Sequence, residues 1–174
     1  MKIEIETKIK VDSLDNVAAA LKKCGAEFIG EFVERDIFFD DAGKRLLEKG
    51  CGLRLRRRTG EGAENNILTY KGKRQGGKYK ARQEIEVEVD SLKDMILLLG
   101  KLGYERKLEF EKRRQIWTLG GCEVCLDEIE PLGRFVEVEG PDEDAISKVI
   151  AELGLAGCEH IDKGYAVMMS EINS

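Results

Sequence analysis

The chain opens on an alternation. Ile3, Ile5 and Ile9 fall on one side of a two-residue repeat, and Glu4, Glu6 and Lys8 fall on the other. An extended strand turns such positions to opposite faces, so the pattern predicts a strand with one apolar and one ionic face. The period then changes. In "VDSLDNVAAALKKCG", Leu14, Val17, Ala18 and Leu21 recur at helical spacing, behind Ser13 as a capping side chain and ahead of Gly25 as a stop. Strand, cap, helix and glycine return in "EIEVEVDSLKDMILLLGKLG", where Leu92, Met95, Ile96 and Leu99 lie between Ser91 and Gly103. They return again in "VEVEGPDEDAISKVIAELG", with Ile146, Val149, Ile150 and Leu153 between Asp142 and Gly154. The first two helices are each followed by a long strand-like run, "AEFIGEFVERDIFFDD" and "YERKLEFEKRRQIWTLGG". This recurrence predicts one domain over residues 1–174 made of two pseudo-repeated halves, each built on a β-α-β unit.

Further strand-like runs at 52–58, 65–73, 122–130 and 133–140 are joined by turns such as "TGEGAEN" and "LGG". The expected inventory is about eight mainly antiparallel strands with a few helices, an α+β fold. The two-residue repeat gathers ions on shared faces: Glu4, Glu6 and Lys8; Arg54, Arg56 and Arg58; Lys71 and Lys73; Arg82, Glu84, Glu86 and Glu88; Glu137 and Glu139. Asp127 alternates with Leu126 and Glu128. "EFEKRRQIW" fits less cleanly, because Phe110 shares parity with Lys112 and Arg114. The amphipathic helices need an apolar surface to cover. If they lie on the apolar strand faces, a curling sheet turns its ions inward and closes as a barrel with a charged lumen, the reverse of an ordinary small barrel. An open sheet with solvated ions on its bare face satisfies the same pattern, and both readings stay open here.

An inward arrangement has an electrostatic requirement. Carboxylates two apart on a strand sit roughly 7 Å from each other and repel by about 2 kcal/mol at an effective dielectric near 20. Lys8, Arg54, Arg56, Lys71, Arg82, Lys112 and Arg114 compensate only in part. Segregation of the two signs would leave one subsite for a hard divalent cation and another for a polyanion. A metal-bound phosphate chain satisfies both.

Composition narrows the field. With 42% apolar and 36% charged residues the chain is globular, and a net charge of −5 argues against a global positive field that would draw nucleic acid or an anionic membrane. Trp117 is the single tryptophan, and the other aromatics are not interleaved with basic residues as in a base-stacking surface. No apolar run approaches the roughly 20 residues of a membrane span. The five cysteines (Cys24, Cys51, Cys122, Cys125 and Cys158) are scattered and odd in number, which points to free thiols and a cytoplasmic location. Cys122 and Cys125, with Cys158 and His160, raise the thought of zinc, but strand positions three apart face opposite ways, so packed thiols are expected. "GKRQGGKYKA" lacks the spacing and ending of a Walker A loop. His160 reads as a surface or capping residue, and Tyr165, Met168 and Met169 as packing for a C-terminal helix.

The opening "EIETK" resembles the ExExK signature of the CYTH superfamily, the triphosphate tunnel metalloenzymes. The resemblance continues through "ERDIFFDD", "LRLR", "LTYKGK", "ARQEIEVEV", "KRRQIW", "CLDEIEPLGRFVEVEG" and "DKGYAVMM", in order and over nearly the whole chain. The spacing of Asp127, Leu132-Gly133, Glu137 and Glu139 is most similar to the branch of class IV adenylyl cyclases. The resemblance implies a closed eight-stranded antiparallel β-barrel, a tunnel holding a triphosphate with Mg²⁺ or Mn²⁺, with helices packed outside. It implies a metal-binding set of Glu4, Glu6, Asp127, Glu137 and Glu139, with Glu84 and Glu86 at a second metal site. Arg54, Arg56, Lys71, Arg82, Lys112 and Arg114 would grip phosphate oxygens. Lys8 would lie near the reacting phosphate and act with Asp127, and Lys163, in the C-terminal helix, would cap one mouth. "KGYAVMM" stands where the family more often shows Ser-Tyr followed by leucines.

The implied reaction is conversion of ATP to cyclic AMP and pyrophosphate. Hydrolysis of an inorganic, thiamine or nucleoside triphosphate is the alternative, and a non-catalytic polyphosphate or nucleotide binder is a further one. The expected partner is a small-molecule triphosphate, with no nucleic acid and no membrane, and the chain is expected to be a monomer or homodimer.

Overall fold

The structure, a computed structural model, describes residues 2–172 and closes eight strands into one antiparallel barrel. In chain order they are β1 (Lys2–Val11), β2 (Glu27–Asp40), β3 (Gly52–Gly60), β4 (Ala63–Lys71), β5 (Lys80–Val89), β6 (Glu105–Leu119), β7 (Cys122–Ile129) and β8 (Gly133–Gly140). Around the barrel the order is β1-β5-β4-β3-β2-β6-β7-β8. The described residues also form five helices, α1 (Leu14–Lys23), α2 (Arg45–Glu48) and α3 (Leu92–Lys101) between strands, and α4 (Glu143–Glu152) and α5 (Tyr165–Ile172) after β8. None of them is long and apolar enough to cross a membrane.

Closure follows from where the helices sit. Val17 and Leu21 of α1 and Ile146, Val149 and Ile150 of α4 pack on Ile9, Val124, Leu126, Val136 and Val138, the outer faces of β1, β7 and β8. Leu99 of α3 packs on Ile37, Phe39 and Leu55 of β2 and β3. Burying each such side chain contributes about 1.5–3 kcal/mol, so the apolar strand faces go outward to meet the helices. The ionic faces are left to one another. That decides between the two sheet readings: the lumen is charged.

Phe110 is resolved by α5. Tyr165 and Met169 of this helix pack against Phe110, Ile129, Leu132 and Phe135, with Phe38 and Leu108 beside them. Phe110 faces the barrel interior as Lys112 and Arg114 do, but at the mouth, where a helix stands in place of water. The helix begins at Tyr165, so Lys163 lies just before it and not within it.

The predicted caps form. Ser13 Oγ accepts from the Asn16 amide at 3.3 Å, Ser91 Oγ from Asp94 at 3.2 Å, and Asp142 Oδ1 from Ala145 at 2.8 Å. Gly120 and Gly121, at φ +58° and +78°, make the tight turn between β6 and β7, a conformation that side chains disfavour.

Exchanging β1–β4 with β5–β8 maps the order of neighbours around the barrel onto itself. On that symmetry, and on the matching caps of α1 and α3, we propose that the domain consists of two repeated halves.

Candidate active site

The barrel encloses a cavity of about 1340 Å³. Strand alternation delivers its walls. β1 contributes Glu4, Glu6 and Lys8; β3 Arg54, Arg56 and Arg58; β4 Lys71; β5 Lys80, Arg82, Glu84 and Glu86; β6 Lys112 and Arg114; β8 Glu137 and Glu139. Cross-strand register fixes the neighbours: Glu4 lies opposite Arg82, Lys8 opposite Glu137, and Glu6 opposite Glu139.

One side of the lumen neutralises itself. Arg56 donates to both oxygens of Asp36 at 2.6 and 2.7 Å, and its Nη1 lies 2.9 Å from Glu34. Glu34 also takes Arg58 at 2.7 Å and Lys112 at 3.2 Å. Arg114 grips Asp127 with two bonds of 2.6 and 2.5 Å and pairs with Glu137. Lys8 Nζ stands 3.2 Å from Glu137 and donates to the backbone carbonyl of Lys163 at 3.1 Å. Burial would raise the carboxyls of Glu34, Asp36 and Glu137, but the surrounding cations outweigh it. Asp36 is held at about 2, chiefly by Arg56, and Glu34 and Glu137 lie well below the usual carboxylate range.

The other side is less settled. Lys71 pairs with both Glu4 and Glu84, and Lys80 pairs with Glu6. Glu4 is nevertheless pushed up to about 8, first by burial, with Glu6 and Glu84 adding repulsion that Lys71 does not overcome. Arg54 reaches Thr69 at 3.1 Å and Glu86 only at 3.5 Å. Among the described residues, the buried Nε–H groups of Arg54 and of Arg82 find no acceptor. A buried guanidinium donor left unpaired costs more than a neutral one, and an anion in the lumen would remove that cost.

Most residues that the sequence marks are therefore brought into one hollow: Glu4, Glu6, Lys8, Arg54, Arg56, Lys71, Arg82, Glu84, Glu86, Lys112, Arg114, Glu137 and Glu139. Asp127 stands behind the wall, fully buried, with its oxygens taken by Arg114 and by the Tyr165 hydroxyl at 2.7 Å. Lys163 contributes its backbone carbonyl, while its ammonium reaches out to Glu171 at 2.6 Å. Sequence reasoning missed Glu34 and Asp36, which alternate through "ERDIF" in phase with the lumen, and Lys80, two residues before Arg82. It also missed the polar role of Tyr165, for which the local pattern holds no signal. Cys125 lines the tunnel whereas Cys122 is packed into the outer core, so the pair does face opposite ways. His160 Nδ1 hydrogen-bonds Thr7 Oγ1 at 2.6 Å, which ties the segment before α5 to β1.

The donor set suits a hard divalent cation. Glu4, Glu6, Glu84, Glu86, Glu137 and Glu139 offer carboxylate oxygens, the ligands of Mg²⁺ and Mn²⁺. Among the described residues no three His, Cys, Asp or Glu side chains form a ready coordination sphere. Ammonium groups stand between the carboxylates instead, Lys71 between Glu4 and Glu84 and Lys80 against Glu6. The high proton affinity of Glu4 comes first from burial and then from repulsion by Glu6 and Glu84, and a cation bound beside it would lower it.

Comparison with known proteins identifies the charged tunnel of eight strands. The CYTH domain profile matches residues 2–165. The chain belongs to the CYTH family. A candidate adenylate cyclase of Methanocaldococcus jannaschii, MJ0240, is 34% identical over 137 residues, spanning 79% of this chain and 76% of the relative. The solved structure of PH1819 from Pyrococcus horikoshii superposes with a TM-score of 0.85 at 28% identity, covering 97% of this chain and 99% of that one. At 18% identity the candidate adenylyl cyclase HpAC1 of Hippeastrum shares the fold, with a TM-score of 0.70 and coverage of 98% and 96%. For HpAC1 a dominant triphosphatase activity is stated. As a CYTH protein, this chain is of a family whose members are adenylyl cyclases or triphosphatases, divalent-metal dependent and acting on triphosphates such as ATP.

Proposed function

We propose that this CYTH protein is a divalent-metal-dependent enzyme that binds a triphosphate along its tunnel and converts ATP to cyclic AMP and pyrophosphate. The observation that carries the reading is that Arg54 and Arg82, whose buried Nε–H groups find no acceptor among the described residues, line the same lumen as the strand glutamates Glu4, Glu6, Glu84, Glu86, Glu137 and Glu139. Those donors call for an anion and the glutamates call for a cation. A metal–triphosphate meets both.

In this reading Arg54, Arg82 and Lys71 hold the phosphate chain, and Lys8 meets the phosphoryl group under attack. Arg56, Lys112 and Arg114 add positive potential, with Glu34, Asp36 and Asp127 holding them in place. Glu4, Glu6, Glu84, Glu86, Glu137 and Glu139 would hold Mg²⁺ or Mn²⁺. When bound, such a cation withdraws charge from the phosphate oxygens and offsets repulsion between them and the carboxylates. Cyclisation requires the ribose 3′-oxygen to attack the α-phosphorus as the bond to pyrophosphate breaks, and the hydroxyl proton leaves to a carboxylate or to water. The protein's part is placement and charge, as in other phosphoryl transfers.

The likeness of "CLDEIEPLGRFVEVEG" to the class IV cyclase branch and the 34% identity to MJ0240 support the cyclase reading. The activity stated for HpAC1 favours a second reading, in which water attacks the terminal phosphorus and orthophosphate leaves. Incubating the protein with ATP and Mn²⁺ and separating the products distinguishes them. Cyclic AMP with pyrophosphate is expected. Orthophosphate with ADP would replace the cyclase by a triphosphatase, and tight binding of unchanged ATP would leave a nucleotide-binding protein. Five unpaired cysteines support a cytoplasmic setting.

A further inference from the structure

Tyr165 looks at first like packing, since its ring lies in the apolar collar under α5, edge-on to Phe135 with centroids 5.3 Å apart. Its other contacts are with the charged lumen. The hydroxyl donates to Asp127 Oδ2 at 2.7 Å, the same oxygen that takes Arg114. The ring face carries Lys8 Nζ at 3.8 Å from its centroid, with Lys112 Nζ at 5.0 Å. Lys8 in turn is bonded to Glu137 and to the carbonyl of Lys163, two residues before the tyrosine. A desolvated ammonium over an aromatic face is attracted by the ring quadrupole, and the attraction restricts a side chain that otherwise has four rotatable bonds.

We infer that Tyr165 is a positioning residue, one whose ring sets the ammonium of Lys8 and whose hydroxyl sets the Asp127–Arg114 pair, so that α5 completes the reacting end of the tunnel. The inference rests on the reading of Lys8 as the group that meets the reacting phosphate. A purely structural tyrosine would need the ring in the collar and nothing more. Here the ring and the hydroxyl face separate charged groups, and the two contributions can be removed one at a time. Tyr165→Phe keeps the ring under Lys8 and loses the bond to Asp127. Tyr165→Leu keeps apolar volume and loses both.

The test is a double-mutant cycle with Lys8→Met, read as kcat and KM for the triphosphate that the wild type turns over, beside thermal unfolding of each variant. The expected order of kcat is Tyr, then Phe, then Leu, with Leu down about tenfold or more and KM changed by less than about threefold. In the Lys8→Met background the Phe-to-Leu step should cost nothing further. A folded Tyr165→Leu protein with wild-type kcat, or a loss fully additive with that of Lys8→Met, overturns the inference. Proton NMR of the Lys8 ε-methylene keeps the claim decidable if the Leu variant fails to fold or if the wild type turns over no triphosphate. An upfield ring-current shift in wild type and in Tyr165→Phe is expected, and its absence from the wild type sinks the positioning claim. Failure of turnover with the shift present would sink the functional reading alone.

Discussion

Arg56 and Arg82 have the same chemistry, and their surroundings separate them. Arg56 is committed to Asp36 and Glu34, so removing Asp36 takes away its two-bond partner and leaves a buried guanidinium that Glu34, shared with Arg58 and Lys112, must balance alone. Asp36→Asn should destabilise the fold by about 3 kcal/mol or more, seen as a lower urea midpoint. Arg82 keeps a buried donor without an acceptor, so Arg82→Ala should leave the urea midpoint nearly unchanged. The same change should weaken tripolyphosphate binding by roughly tenfold to a hundredfold in calorimetry, the worth of a charge-assisted bond. Equal affinity in wild type and Arg82→Ala would place that arginine outside the phosphate path. Carboxyls differ in the same way. Asp36, held at about 2 against an ordinary 3.8, contributes stability that is complete above 3.8 and lost as pH falls through 2. Glu4 is opposite in sign: it holds its proton in the fold up to about 8 against an ordinary 4.5, so its contribution fades as pH rises from 4.5 to 8. Glu4→Gln should flatten the decline of metal-free stability across that window, followed as urea midpoints against pH. A decline as steep in the variant would assign it to another group.

At the scale of elements, the repeating unit of charged strand, capped helix and glycine was legible in full. Its caps are local chemistry, a side-chain oxygen satisfying an amide that the helix leaves free. Ser13→Ala and Ser91→Ala should each cost about 1 kcal/mol, in the same direction and of similar size, by chemical denaturation. A large cost at one and none at the other would count against equivalent roles in two halves. The long β6 strand was harder to read, because Phe110 sits in phase with Lys112 and Arg114. Periodicity reports which face a residue takes, not what covers that face, and α5 arrives from the far end of the chain to cover it. For the same reason Tyr165 read as packing alone. Its bond to Asp127 spans 38 positions and its contact with Lys8 many more, beyond any local pattern.

For the molecule as a whole, the lumen is an unfinished charge balance. Its cations and carboxylates offset each other on the Glu34–Arg56–Arg114 side and remain poorly matched around Glu4, Arg54 and Arg82. A divalent cation and a polyanion should each relieve strain that the other leaves, so their effects should exceed a simple sum. Mn²⁺ with tripolyphosphate is expected to raise the thermal midpoint more than the two shifts added, and saturation at about 100 times Kd contributes about 2.7 kcal/mol. Additive shifts would separate the two subsites.

Alternation and helical spacing by themselves determined the strands, the helices α1, α3 and α4 with their caps, and the face on which most of the ions gather, because these depend on neighbours two to four residues apart; the short α2 was not among them. They left open whether that face met water or itself. Only the tertiary structure decided that, by laying α1, α3 and α4 on the apolar faces and closing the sheet. It also decided which charges were already matched, since pairs such as Arg56–Asp36 and Arg114–Asp127 depend on strand register. Coulombic pairing falls off over a few ångströms, and sequence order does not carry those distances.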